Sequence, residues 1–276
     1  MDLKSGESGK LTSAAALDTA SLVLSPDERS LYYFDGPSLF SAPLSTQRPV
    51  ELYRASQGST LSGLDVGFDG AVYFLEKRAG KSKLMRVGRP KTLPIAELEA
   101  PADALMARPR RAQVLYRSGG SLWLLNSDGT GKRKLAVAPG NTGDVTWTPA
   151  GRTFVYLHVP DNPKELITLR EFSPEETVDK NADKLVAKTS QFERVSANGD
   201  SSVFAGASRS KAQSYVFVLL RTTRRELTLC EHRASDPGMV APIFAPDSQS
   251  VFFVTDRHGK PAIYRIQIDK FISETA

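Results

Sequence analysis

Six times along this chain a short apolar run enters a tight polar turn and leaves as a second apolar run. The turns are Ser25-Pro26-Asp27-Glu28, Phe68-Asp69-Gly70, Arg108-Pro109-Arg110-Arg111, Pro149-Ala150-Gly151-Arg152, Ala197-Asn198-Gly199-Asp200 and Ala245-Pro246-Asp247-Ser248. Measured between Asp27, Asp69, Arg110, Gly151, Gly199 and Asp247, the steps are 42, 41, 41, 48 and 48 residues. A period in the forties carried by strands alone implies a radial array, one four-stranded antiparallel blade per repeat. The expected fold is therefore all-β, a six-bladed β-propeller, with seven blades if the native chain is longer. Such a fold decides which loops share a face; it leaves the chemistry open.

Each repeat reads the same way. Proline presets φ in the turn of the last one, and the Asp side chain can bond the backbone two residues on. Val240 to Phe244 read as its inner strand, Ser250 to Val254 as the second and Ala262 to Ile268 as the third. Branched and aromatic residues in runs of this length, bounded by Gly, Pro, Asp and Ser, are strand signals. The only stretch suggesting helical turns spans residues 175–184. The sixth repeat ends after its third strand, and residues 4–12 resemble the third-to-fourth strand link Ser127-Asp128-Gly129-Thr130-Gly131-Lys132. The expectation is that residues 6–14 supply the outer strand of the last blade and close the ring. Residues 1–276 then form a single domain carrying an insertion at residues 173–184.

Composition restricts the alternatives. Apolar residues make up 40% of the 276, a proportion suited to a packed domain. No stretch approaches the roughly 18 apolar residues of a membrane span, and no signal peptide is visible at the start. A periplasmic or a cytoplasmic location fits equally. The one cysteine, Cys230, permits no intrachain disulfide and is expected as a small buried residue. Nucleic acid is not an expected partner: no RNP-type, zinc-finger or helix-turn-helix pattern occurs, and basic clusters are scattered. Gly9-Lys10 and Gly131-Lys132 lack the Ser or Thr and the upstream glycine of a phosphate loop. No Gly-x-Ser-x-Gly elbow is present. His158, His232 and His258 have no metal-site spacing between them.

The net charge of +5 is unevenly placed. In an antiparallel meander the loops joining second and third strands share a face with the links between blades. Residues 34–37, 76–83, 117–120, 158–164, 208–211 and 255–260 are expected there, with ten Lys or Arg against four acids. Converging positive charge attracts anions. The link from the fifth to the sixth repeat joins the same face and mixes His232 and Arg233 with Glu231 and Asp236. The candidate ligand-binding residues are His232, Arg233, Asp236, Arg209, Lys211, Arg257, His258, Arg117, Lys77 and Arg78. No catalytic residue and no metal ligand is assigned.

The turns Ser25-Pro26-Asp27 and Ala245-Pro246-Asp247, with the run Thr255-Asp256-Arg257-His258-Gly259-Lys260-Pro261-Ala262-Ile263-Tyr264, resemble the repeat of TolB-type propellers. A narrower resemblance covers residues 189–268. There Asn198-Gly199-Asp200-Ser201-Ser202-Val203-Phe204, Leu229-Cys230-Glu231-His232 and Pro242-Ile243-Phe244-Ala245-Pro246-Asp247 are similar to the last blades of oligogalacturonate lyases. The opening Asp2-Leu3-Lys4-Ser5-Gly6-Glu7 also fits a link of that family. The second resemblance implies metal-assisted β-elimination on acidic oligosaccharides, with manganese or a similar divalent cation held by histidines and a glutamine. It also implies histidines just before the last turn, where this chain has Met239 and Ala241, and one ahead of the fifth turn, where Phe192, Glu193 and Arg194 stand. Gln191 lies nearby without a register that makes it a ligand. Met and Ala do not replace imidazole on a hard cation.

Taken together, these residues imply a monomeric, non-catalytic propeller without a cofactor, binding an anionic glycan or a protein partner on its basic loop face. The alternative is a lyase acting on oligogalacturonates through a site relocated to His232, Arg233, Arg209 and His258.

Overall fold

The computed structural model describes residues 12–87, 92–98, 100–162, 164–176, 182–189, 192–208, 210 and 214–268. The chain divides into two compact units, residues 1–135 and 136–276, each carrying three sheets. In the first unit, β1 (Val23–Leu24), β2 (Ser30–Asp35), β3 (Ser38–Pro43) and β4 (Val50–Arg54) form one antiparallel meander. The second comprises β5 (Thr60–Val66), β6 (Val72–Arg78), β7 (Lys81–Val87) and β8 (Leu93–Leu98), and the third β9 (Ala102–Ala107), β10 (Gln113–Ser118), β11 (Ser121–Asn126) and β12 (Arg133–Lys134). In the second unit, β13 (Asn141–Trp147), β14 (Phe154–Val159), β15 (Thr168–Phe172) and β16 (Asp183–Lys188) form the fourth meander. The fifth contains β17 (Arg194–Ala197), β18 (Val203–Ala207), β19 (Tyr215–Leu220) and β20 (Arg225–Glu231); the sixth is β21 (Ile243–Phe244), β22 (Ser250–Thr255) and β23 (Ala262–Gln267). These six consecutive antiparallel sheets are the blades of a β-propeller. The only helical pieces among the described residues are 3-10 turns at Thr19–Ser21 and Pro237–Met239.

The repeat turns work as their residue types require. The Oδ1 atoms of Asp27, Asp69, Asp200 and Asp247 accept hydrogen bonds from the N–H groups of Arg29, Ala71, Ser202 and Gln249, each two residues on, at 2.9–3.2 Å. Other turns are tighter than the sequence implies. Residues 76–83 read as a loop, yet β6 and β7 continue to Arg78 and from Lys81, leaving only Ala79-Gly80 between them. Both residues have positive φ, +48° and +78°, the requirement of a two-residue hairpin turn that follows the strand twist. Gly119-Gly120 does the same between β10 and β11. Lys77, Arg78, Lys81, Lys83 and Arg117 are therefore strand residues.

The apolar clusters straddle neighbouring sheets. Phe34 and Leu39 of the first blade pack with Leu64, Val72 and Phe74 of the second. Leu75 and Leu84 pack with Leu105, Val114 and Tyr116 of the third. In the other unit, Val155, Leu157 and Leu169 meet Phe192, Phe204 and Phe217, while Ala205 and Val218 meet Val251 and Ile268. Polar contacts join the same pairs of sheets. Asp65, at a bulge in β5, accepts from the Ala107 N–H of β9 at 2.7 Å. Asp144, at the equivalent bulge in β13, accepts from the Val195 N–H of β17 at 2.9 Å.

The structure differs from the sequence-based expectation at the inner strand of the sixth blade and at Cys230. The inner strand of the sixth blade is only Ile243–Phe244, and that sheet has three strands among the described residues. Most of the segment expected to add a fourth, residues 6–11, lies outside the described residues; residues 12–14 are not strand, and Thr12 Oγ1 hydrogen-bonds the Tyr33 hydroxyl at 2.7 Å. Cys230 is half-buried rather than sealed in the core. In the 173–184 segment, Asp183 and Lys184 open β16, and the Asp183 carboxylate accepts from the Tyr156 hydroxyl, the Ala138 N–H and Arg170 at 2.6, 2.6 and 2.9 Å. Its residues 177–181 lie outside the described residues.

Candidate functional site

The link between the fifth and sixth blades gathers several of the expected residues because two Asp side chains fold it back on itself. Asp236 Oδ1 accepts from the Gly238 N–H at 2.9 Å and caps the 3-10 turn at Pro237–Met239. Asp256, at the end of β22, accepts the Ser235 N–H at 2.8 Å and also the Ser235 hydroxyl. Those two bonds hold the Asp256 carboxyl below its ordinary range. Thr255 Oγ1 donates to the His232 carbonyl at 2.7 Å and accepts the Arg257 N–H at 3.2 Å. Asp236 is thus spent on the shape of the link.

The cations of this corner are also engaged. Arg233, in a left-handed conformation at φ +51°, pairs with Glu231 at 2.7 Å. Arg257 reaches the Glu231 carbonyl at 3.3 Å. The His258 Nδ1 lies 2.6 Å from the Tyr264 hydroxyl, and Tyr264 stacks on Phe253. Glu231, Ser235, Asp256 and Tyr264 were not among the expected site residues. Asp256 had a signal in the sequence as an acid inside the basic run that follows β22, and Glu231 as an acid of the same polar link.

His232 is fully buried, at 0% exposure. Its Nδ1 accepts the Ala234 N–H at 3.1 Å, and its Nε2 makes no hydrogen bond of normal geometry among the described residues. An imidazole that accepts at Nδ1 is neutral and carries its proton at Nε2. Burial disfavours the imidazolium and lowers the pKa, outweighing the opposing pull of the Ser208 backbone and the Glu231 charge. A histidine whose folded pKa is depressed supplies stability that is complete above its unfolded pKa and declines as the pH falls below it. Acidification from pH 7 to 5 should accordingly loosen the link. Hydrogen exchange of the Ala234 and His232 amides should accelerate over that range, and it should become independent of pH in His232→Gln once intrinsic exchange is subtracted. Equal protection at both pH values in the unaltered protein would contradict the assignment.

The remaining candidates lie in the first unit or outside the described residues. Arg209 and Lys211 belong to the latter group. Arg117 pairs with Asp103 at 2.7 Å. Lys77 and Arg78 stand at the end of β6, beside a hollow of about 290 Å³ lined also by Thr60, Lys81, Ser82 and Pro101. Among the described residues, Lys77, Arg78 and Lys81 have no acidic partner, and no acid lines the hollow.

The residues fit a divalent cation poorly. Among the described residues no group of three His, Cys, Asp or Glu could hold one. Phe192 occupies the place ahead of the fifth turn as a fully buried ring stacked on Phe217, with centroids 6.0 Å apart. Ala241 is exposed and offers no ligand atom, and the neighbouring Val240 is core.

No family model matches the chain, and no curated protein matches it by sequence. Solved structures do. An oligogalacturonate lyase in complex with manganese is similar at a TM-score of 0.84 and 21% identity, over 95% of this chain and 80% of that one. The oligogalacturonate lyase of Vibrio parahaemolyticus gives 0.83 and 19%, with the same 95% and 80% coverage. TolB from Acinetobacter baumannii gives 0.56 and 12%, over 90% of this chain and 60% of that one. At these identities the likeness shows the fold, a TolB-like β-propeller resembling that of oligogalacturonate lyases.

Proposed function

We propose that this chain is a non-catalytic member of the lyase-like propellers that binds an acidic oligosaccharide. The observation that carries this reading is the state of its three histidines. His232 is sealed in the protein, His258 is bonded to Tyr264, and His158 is spent on the Pro139 carbonyl at 2.7 Å. Metal-assisted elimination needs imidazoles grouped around a cation with an open position, and among the described residues none of these three is grouped with other ligands. Binding needs only cations that face solvent, and those are present at Lys77, Arg78 and Lys81. The likeness to oligogalacturonate lyases in fold favours an acidic glycan over other anions as the ligand to try first.

The test is a lyase assay on short oligogalacturonates with manganese, read by the ultraviolet absorbance of the unsaturated product and run beside a chelated control. The expected result is no product above the enzyme-free blank from a protein shown to be folded. Product that disappears on chelation would instead favour the second reading, a lyase with a relocated site.

A further inference from the structure

We infer that the hollow beside the Ala79-Gly80 hairpin is the seat of one uronate residue, with its carboxylate held by Lys77, Arg78 and Lys81; this rests on the acidic-glycan reading above. Three observations converge. First, the hairpin brings like charges together: Arg78 is directly opposite Lys81 across the strand pair, and Lys77, opposite Ser82, also lines the hollow. Like charges facing each other across a ladder destabilise it. Two other candidate cations are paired with acids, Arg117 with Asp103 and Arg233 with Glu231, whereas these three have no such partner among the described residues. A bound anion supplies the missing counter-charge.

Second, the acids nearest in sequence are already used. The Glu76 carboxylate is buried, accepting the Tyr53 hydroxyl at 2.7 Å and the Ser56 N–H at 3.0 Å, and Glu97 pairs with Lys83 at 3.2 Å. Glu76 keeps its charge, which neutral donors do not cancel, but neither acid lines the hollow. Glu76 instead pins the link after β4 to β6. Ser82, which lines the hollow, is held in place, buried and accepting the Ala102 N–H at 3.2 Å.

Third, the dimensions suit one sugar ring. About 290 Å³ lies at the lower edge of the roughly 300–1,000 Å³ typical of small-molecule sites. A guanidinium can take a carboxylate through two parallel N–H bonds, and two ammonium groups add charge without demanding a fixed geometry. Thr60 offers a hydroxyl to the ring oxygens. A neutral sugar would leave the cations uncompensated, which sets the class of ligand.

The experiment is calorimetric titration of the full chain with trigalacturonate, its methyl ester and inorganic phosphate. The unaltered protein is compared with the Lys77→Gln/Arg78→Gln/Lys81→Gln variant and with Lys134→Gln as a surface control. Circular dichroism melts verify that each variant folds. The expected result is trigalacturonate binding that weakens tenfold or more in the triple variant, is unchanged in Lys134→Gln, and is lost with the methyl ester. Trigalacturonate binding that survives the triple change would overturn the location while leaving the glycan reading standing. No trigalacturonate binding by the unaltered protein would remove both. Phosphate bound as tightly as trigalacturonate, and lost with the same three residues, would mark a general anion site and overturn the assignment to uronate.

Discussion

Replacing Gly206 with alanine is expected to cost the second unit about 3 kcal/mol, a large penalty for one added methyl group. Gly206 is the fourth residue of β18, a strand in which every residue is buried. A Cβ built there would meet the ring of Phe192, 2.5 Å from Cε2 and 2.6 Å from Cγ. That ring has nowhere to go: it is fully buried, stacked on Phe217, and packed among Val195, Phe204 and Leu219. Close-packed interiors relieve such a contact only by shifting backbone or forcing a side chain off its rotamer. Urea denaturation of Gly206→Ala should show the loss as a lowered midpoint. Gly206→Ala/Phe192→Leu should recover part of it, because the smaller side chain vacates the space. A single variant as stable as the parent would mean that the ring gives way at no cost and is not locked by its neighbours.

The second large effect concerns Asp65. Its carboxylate is taken out of water at the bulge of β5, and burial pushes its pKa up to about 6, against the opposing backbone bonds from Val66 and Ala107. An acid whose folded pKa is raised holds its proton longer folded than unfolded. Its contribution to stability is therefore complete below the unfolded value near 3.8 and is lost as the pH rises through about 6. The residue keeps partial exposure, so solvent tempers the penalty, and we take the swing as about 2 kcal/mol. Asp65→Asn removes the titration. The stability difference between parent and variant, from urea midpoints at pH 4 and pH 7.5, should move by that amount in favour of the variant at the higher pH. Parallel profiles would show that Asp65 titrates as an ordinary surface carboxylate.

The periodic parts of this molecule were legible in its sequence because each rests on a local rule. Ser25-Pro26-Asp27 and Ala245-Pro246-Asp247 announce a turn, and the bonds from Asp27 and Asp247 to the backbone two residues on are those the side chain can reach alone. The limits of the strands around Ala79-Gly80 were not legible. Lys77, Arg78, Lys81 and Lys83 look like loop residues, yet backbone pairing persists until the two positions that take positive φ.

The candidate site was legible as composition but not as geometry. The sequence places His232 and Arg233 in one polar link, and nothing local says that the imidazole faces inward while the guanidinium faces Glu231. That outcome depends on Ser235 meeting Asp256, 21 residues away. Asp65 and Asp144 were missed for a related reason. Ser62-Gly63-Leu64-Asp65-Val66 and Thr142-Gly143-Asp144-Val145 share a Gly shortly before Asp-Val, but the partner N–H groups belong to the next blade.

Those two aspartates also bear on how the protein would yield to mechanical load. Each ties the innermost strand of one sheet to that of the next, joining the second blade to the third and the fourth to the fifth. A strand drawn from the second or the fourth sheet must break this tie, and the shared apolar cluster beneath it, before the sheet peels. Extension from either end should then advance in steps that release neighbouring sheets together, with contour lengths nearer to two repeats than to one.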